Sequence, residues 1–84
     1  MNARKLARSV PLQHLLACLR DAGRRGMTGA EVHAATGTLS VGTLVAELRA
    51  NGFEIAWRLE GRTASGAKIG RYTLRENGEQ LELL

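Results

Sequence analysis

The side chains best suited to chemistry in this sequence are cations and hydroxyls gathered around one polar loop. Residues 61–67 have the sequence GRTASGA, a polar run with glycine near both ends. The cationic and hydroxyl side chains in or beside this loop are Arg62, Thr63, Ser65 and Lys68. Guanidinium, ammonium and hydroxyl groups donate hydrogen bonds to phosphate oxygens. The loop therefore predicts binding to a polyanion rather than catalysis.

Four more arginines are placed so that they could add to such a surface: Arg24, Arg25, Arg58 and Arg71. The first two precede a predicted helix, whose N-terminus attracts phosphate, and the other two lie on the outward side of predicted strands. Two alternatives stay open. The strand arginines could instead form surface ion pairs with Glu54 and Glu60, which add little stability, and the first two could form a solvated basic turn.

No set of residues resembles an enzyme active site. The sequence has no nucleophile–base–orienter set, no carboxylate pair in an apolar setting and no phosphate-binding glycine loop between a strand and a helix. The single cysteine, Cys18, excludes an internal disulfide, and together with the two histidines it matches no zinc spacing. We expect no catalytic residue, no metal ligand and no cofactor.

The formal net charge of +4 is unevenly distributed along the chain. Residues 1–75 hold all 12 Lys and Arg residues against 5 acidic residues, whereas residues 76–84 hold 3 glutamates and no base. A cation that meets a phosphate releases condensed counterions, so a basic body suits nucleic acid, although some basic proteins bind no polyanion. The longest apolar run, residues 15–19, is too short for a signal peptide or a membrane span, which predicts a cytoplasmic protein without a membrane partner.

Amphipathic patterns predict three helices, over residues 11–22, 29–36 and 39–51. Apolar residues recur at i, i+3, i+4 and i+7 in the first and third segments, which is the spacing of a buried helix stripe. These stripes are Leu12, Leu15, Leu16 and Leu19, and Val41, Leu44, Val45 and Leu48. Thr28 and Glu31 form a capping-box pattern at the start of the second helix.

After the third helix the apolar period changes from 3.6 to 2, which predicts strands over residues 53–60 and 68–75. Joined by the polar loop, the two strands form an antiparallel hairpin. Trp57 and Tyr72 share the apolar parity of their strands, so we expect both rings to pack in the core rather than to stack on bases.

These features together resemble the winged helix-turn-helix domain of small bacterial and prophage-encoded regulators. The resemblance spans residues 12–74 and rests on the motifs Leu15-Leu16-x-x-Leu19, Thr28-x-x-Glu31, Gly37, Val41-x-x-x-Val45-x-x-Leu48, Asn51-Gly52-Phe53-x-Ile55 and Gly70-Arg71-Tyr72-x-Leu74. It implies an α+β fold, with a three-helix helix-turn-helix core followed by a two-stranded antiparallel β-hairpin wing. It also implies a non-enzymatic transcriptional regulator that contacts double-stranded DNA with the helix over residues 39–51 and the wing over residues 61–68.

On this resemblance, the third helix would contact DNA through side chains outside its apolar stripe: Ser40, Thr43, Glu47 and Arg49. The face directly opposite the stripe lacks the Arg, Asn and Gln side chains that make bidentate base contacts, although its small residues allow close approach to a groove. The alternative is a protein-interaction module of the same fold that docks a polymerase, nuclease or replication protein. The scarcity of base-reading side chains on this face favours the alternative, and the division of charge between the basic body and the acidic tail favours DNA.

The predicted domain spans residues 11–75, between a basic arm over residues 1–10 and an acidic–hydrophobic tail over residues 76–84. The arm could contact phosphate or remain solvated. The tail could add a strand, form a short helix or join a partner chain. Its three leucines favour a homodimer or a protein partner: Leu81, Leu83 and Leu84.

Overall fold

The computed structural model describes residues 5–76, in which three α-helices pack against one face of an antiparallel sheet. The predicted α+β class is confirmed. The helices are α1 (Val10–Ala22), α2 (Gly29–Thr36) and α3 (Val41–Ala50), and the strands are β1 (Met27–Thr28), β2 (Glu54–Arg62) and β3 (Lys68–Arg75). Two 3-10 turns, Leu6–Arg8 and Gly23–Arg25, lie before and after α1.

The first two helices begin at hydroxyl caps. Ser9 Oγ accepts a hydrogen bond from the Leu12 N–H at 3.3 Å at the start of α1. At the start of α2 the capping box is complete, because the Thr28 N–H donates to Glu31 Oε1 at 2.9 Å and the Glu31 N–H donates to Thr28 Oγ1 at 3.2 Å. Each such cap contributes about 0.5–2 kcal/mol, so these residues fix where the helices begin.

The turn between α2 and α3 delays the start of α3 by two residues relative to the prediction. Gly37 ends α2 in the left-handed region, with a φ of 75°. Hydroxyl oxygens then accept the next backbone N–H groups: Thr36 Oγ1 accepts from Thr38 at 3.2 Å, and Thr38 Oγ1 accepts from Ser40 at 3.0 Å. Because side chains satisfy these donors, the chain enters a helix only at Val41.

The sheet has a third strand that the sequence did not predict. Its order is β1-β3-β2, with Met27 opposite Tyr72 and antiparallel pairing throughout. The β2–β3 register shifts between Leu59 and Gly61, and β2 continues to Arg62, two residues beyond the predicted end. This order of helices and strands is compatible with a winged-helix-like fold.

The core joins the two predicted helix stripes to the sheet. Ile55 on β2 and Leu74 on β3 are buried at 5% and 2% exposure against the helices. The other buried apolar residues are Leu12, Leu15, Leu16, Leu19, Met27, Val32, Leu44, Val45 and Leu48. This single cluster fixes the side of the sheet on which all three helices lie.

Trp57 is not a core residue, so its predicted packing is wrong. The side chain is 45% exposed although it shares the parity of buried Ile55, and its strand neighbour Leu59 is 44% exposed. The half of β2 nearest the loop extends beyond the helices, so side chains on its inward side are exposed to solvent there. The indole lies over Gly70, where a Cβ would collide with the ring. Tyr72, by contrast, packs partly buried against the core.

We predict that Gly26→Ala lowers the free energy of unfolding by about 2–3 kcal/mol. Gly26 has a φ of 66°, and an added Cβ would collide with the backbone carbonyl of Tyr72 and lie 2.7 Å from Thr73 Oγ1. Gly42→Ala is the control, because an added Cβ on α3 has nothing within 4 Å and improves helix propensity by about 0.5–1 kcal/mol. Urea denaturation measures both. Equal stability of the two variants would contradict the close contact at Gly26.

Candidate nucleic-acid interface

The predicted site residues lie on separate surfaces of the molecule. One set is on or before α3, one is at the β2–β3 loop, and one is on the sheet surface that faces away from the helices, which we call the outer face. The α3 set is Ser40, Thr43, Glu47 and Arg49; the loop set is Arg62, Thr63, Ser65 and Lys68; and the outer-face set is Arg24, Arg58 and Arg71. Arg25 instead lines a hollow beside Cys18 and Glu31.

The exposed face of α3 consists mainly of small side chains, with half-buried Glu47 and exposed Arg49 as its charged residues. Thr43, Ala46 and Ala50 are exposed. On the other side of the helix Leu44, Val45 and Leu48 are buried, and Val41 is partly buried. Ser40 is exposed at the helix start, and its side chain makes no capping hydrogen bond. The geometry therefore leaves two hydroxyls, those of Ser40 and Thr43, as the polar groups that α3 presents near its N-terminus.

Arg49 ties α3 to the sheet. Its Nη2 and Nε donate to the carbonyl oxygen of Ile55 at 2.7 and 3.2 Å. The guanidinium thus spans from the last turn of α3 to β2, and two of its five donors are used within the fold. This contact gives Arg49 a structural role beside the predicted DNA contact.

The loop between β2 and β3 is closed by hydrogen bonds centred on Thr63. The Thr63 N–H donates to the Ala67 carbonyl at 2.8 Å, and Thr63 Oγ1 accepts from the Ala67 N–H at 3.1 Å. The Thr63 hydroxyl is also 2.9 Å from Ser65 Oγ. Thr63 and Ser65 therefore take part in the hydrogen bonds that close the turn. The charged groups of this region are the cations at its two ends, Arg62 and Lys68.

The two cations of the loop lie side by side at its base. Arg62 and Lys68 are directly opposite each other in the β2–β3 register, and both are exposed. Arg62 Nη1 donates to the Gly66 carbonyl at 3.0 Å, which orients the guanidinium along the loop. Like charges directly across a strand pair are unfavourable by themselves, so an anion bound between them would be stabilising.

Arg71 forms the ion pair that was one of its two predicted roles. Its Nε and Nη2 donate to the two carboxylate oxygens of Glu60 at 2.6 and 3.1 Å. The hydrogen bond from Arg71 is the main cause that lowers the pKa of Glu60, and the nearby positive charge adds to it. Glu60 in turn raises the pKa of Arg71. No such pair forms for Arg58 within residues 5–76.

Sequence reasoning missed two residues that the fold exposes beside these groups. Arg75 joins the outer-face arginines around one hollow, a grouping that depends on the β2–β3 register. Trp57 and Tyr72 line a second hollow of about 460 Å³ that also includes Lys68. Gly70 is the residue that could have indicated where the indole lies, because its lack of a side chain leaves room for the Trp57 ring.

The tail and the arm are described only in part. Glu76 accepts two hydrogen bonds from Arg20, at 2.9 and 3.1 Å, and the Arg20 guanidinium lies 5.8 Å from the centroid of the Phe53 ring. The hydrogen bond from Arg20 lowers the pKa of Glu76. The rest of the predicted tail, residues 77–84, and the first four residues of the arm lie outside the described residues.

Among residues 5–76, no group of three His, Cys, Asp or Glu side chains is arranged to hold a metal ion. In the same part of the chain, no helix combines the length and apolar character needed to cross a membrane.

We predict that Glu60 stabilises the fold in a pH-dependent way. Because its pKa is lower in the folded chain than in the unfolded chain, the stabilisation is complete above the ordinary value of 4.5 and is lost as the pH falls through the lowered pKa. The difference in unfolding free energy between the wild type and Glu60→Gln should therefore be constant near pH 7 and shrink below pH 4.5.

Urea denaturation at several pH values measures this difference. Glu54→Gln is the charge-matched control, because Glu54 is exposed and forms no ion pair with any residue in the range 5–76. A Glu60→Gln difference that does not change between pH 7 and pH 3 would show that the ion pair with Arg71 contributes nothing.

Comparison with protein-family models, with curated proteins and with solved structures finds no match for this chain. Its function must therefore be argued from the surfaces described above.

Proposed function

We propose that this chain is a DNA-binding protein, a transcriptional regulator of bacterial or phage type with winged-helix architecture. It contacts duplex DNA with α3 and with the β2–β3 loop, which acts as the wing. The observation that supports this most directly is the cation pair formed by Arg62 and Lys68 at the base of the loop. Two adjacent, exposed cations on a protruding loop suit the phosphates that flank a DNA groove.

In this proposal α3 enters the major groove by virtue of its small side chains. Thr43, Ala46 and Ala50 offer little steric hindrance, so the helix backbone can approach the base edges closely. The hydroxyls of Ser40 and Thr43 can donate to phosphate, and the methyl group of Thr43 can contact a thymine methyl group. Most of the affinity then comes from phosphate contacts, which fix orientation but carry little sequence information.

The proposal assigns the duplex on α3 to the loop cations rather than to the outer-face arginines, because the helices pack against the opposite face of the sheet through Ile55 and Leu74. A homodimer remains part of the proposal, since one such domain contacts only a few base pairs.

A protein-interaction module is the second candidate function, and one observation favours it. Leu39 is 91% exposed two residues before α3, and residues 41–46 at the start of this helix carry no charged side chain. The cores of protein interfaces are depleted in charged residues, so this end of α3 could dock a polymerase, nuclease or replication protein.

We predict that Arg62→Ala/Lys68→Ala weakens binding to a random-sequence duplex by roughly tenfold at low salt and reduces the log–log salt slope by about 2. Loss of two phosphate contacts is the physical reason. Fluorescence anisotropy across a salt series measures both quantities. Lys5→Ala/Arg8→Ala removes the same charge from exposed residues before α1 and should change the slope less. Absence of wild-type binding at low salt would overturn the proposal and favour the protein-interaction module.

We also predict that Ala46→Arg tightens duplex binding several-fold and steepens the salt slope by about 1. The new guanidinium would lie on the exposed face of α3 and gain one phosphate contact. His14→Arg, which adds the same charge to an exposed position of α1, is the matched control. If the two variants bind alike in the anisotropy titration, α3 does not face the DNA.

A further inference from the structure

Four arginines surround a hollow on the outer face of the sheet. The hollow has a volume of about 300 Å³, and its floor includes Ala56 and Thr73, which are paired across β2 and β3. The arginines that line it are Arg24, Arg58, Arg71 and Arg75. Among residues 5–76, no carboxylate is part of its lining. The small floor residues leave space at the point where the guanidinium groups converge.

The backbone fixes this convergence from two directions. Arg58 and Arg71 are directly opposite in the β2–β3 register, and Arg75 lies on the same side of β3. Arg24 comes from the 3-10 turn after α1, which is held to the sheet because Arg71 Nη1 donates to the carbonyl of Arg25 at 3.0 Å. The arrangement thus combines three strand positions with one turn that is hydrogen-bonded to the sheet.

Carboxylates of the described residues offset the charge around the hollow only in part: Glu60 also interacts electrostatically with Arg58, and Glu54 is opposite Arg75 in the register. Glu60 pairs with Arg71 at 2.6 Å, and Glu31 lies 3.7 Å from the same guanidinium. Arg58 and Arg75 are exposed and form no ion pair with any residue in the range 5–76. Like charges directly across a strand pair are destabilising, so a bound anion would lower the energy of this face.

We propose that this hollow is a phosphate-binding site. Guanidinium groups bind phosphate oxygens in a bidentate manner, and the small floor admits a tetrahedral anion between them. The phosphate can come from a nucleic-acid backbone or from a nucleotide, which share this chemistry. The site goes beyond the proposed function, because it lies across the sheet from the helices. A backbone bound here would be a second segment, separate from the duplex on α3.

Thermal unfolding of the full chain with pyrophosphate, compared with chloride at equal ionic strength, tests the site directly. At ten times the Kd of pyrophosphate we expect a rise in Tm of about 5–10 °C for a domain of this size. Arg58→Ala/Arg75→Ala should abolish the rise, whereas Lys5→Ala/Arg8→Ala should retain it. An equal rise in all three proteins would overturn the proposal, because it would show general screening of positive charge.

The source of the phosphate is distinguished by following the arginine side-chain Nε–H signals of the ¹⁵N-labelled chain during titration. Pyrophosphate, a nucleoside diphosphate and a short duplex are the three probes. Shifts at Arg58 and Arg75 with the duplex assign the site to a nucleic-acid backbone, and shifts only with the two small molecules assign it to a nucleotide. No shift with any probe would overturn the site.

The Arg62→Ala/Lys68→Ala variant separates this site from the proposed function. It should keep the full rise in Tm with pyrophosphate while its binding to duplex DNA is weakened. If the loop variant loses both, the outer face has no independent site. If the wild type binds no duplex but keeps the rise, the phosphate site remains and only the proposed function fails.

Discussion

The close contact between the turn at Gly26 and strand β3 is the constraint on which the rest of the structure depends. Gly26 has a φ of 66°, which side chains disfavour, and lies against the carbonyl of Tyr72, where an added Cβ would collide. This approach brings Met27 opposite Tyr72 and creates β1. Thr28, the next residue, is then held at the edge of the sheet and caps α2. The direction of α2, and with it the position of α3, follows from one glycine.

Arg71 secures the same junction from the other side. Its guanidinium donates to the carbonyls of Arg25 and Gly26, at 3.0 and 3.5 Å, and is itself held by Glu60. Because these partners belong to different elements, the side chain joins the turn, β2 and β3. Arg71 is therefore primarily part of the framework. Its charge, once fixed by these contacts, helps to shape the outer face.

The local features of the fold could be predicted from the sequence, because each depends on residues close together in the chain. The Thr28–Glu31 capping box and the two apolar helix stripes are of this kind: the capping box is complete, and every stripe residue is buried except Val41, which is partly buried. β1 could not be predicted, since a strand of two residues has no period and forms only because β3 accepts it. The exposure of Trp57 could not be predicted for a similar reason. Its position in the alternating pattern places it on the inward side of β2, but this pattern does not show how far the helices extend over the strand.

The grouping of functional side chains was less predictable than the fold for the same reason. Individual cations were recognised, but only the register shows that Arg62 meets Lys68 and that Arg58 meets Arg71. Nor could the spacing show that Thr63 uses its side chain to close the turn. With Arg49 bound to the Ile55 carbonyl, the proposed DNA interface has few groups that could discriminate bases. A regulator built in this way would recognise its site through DNA shape and deformability, because phosphate contacts are sensitive to groove width.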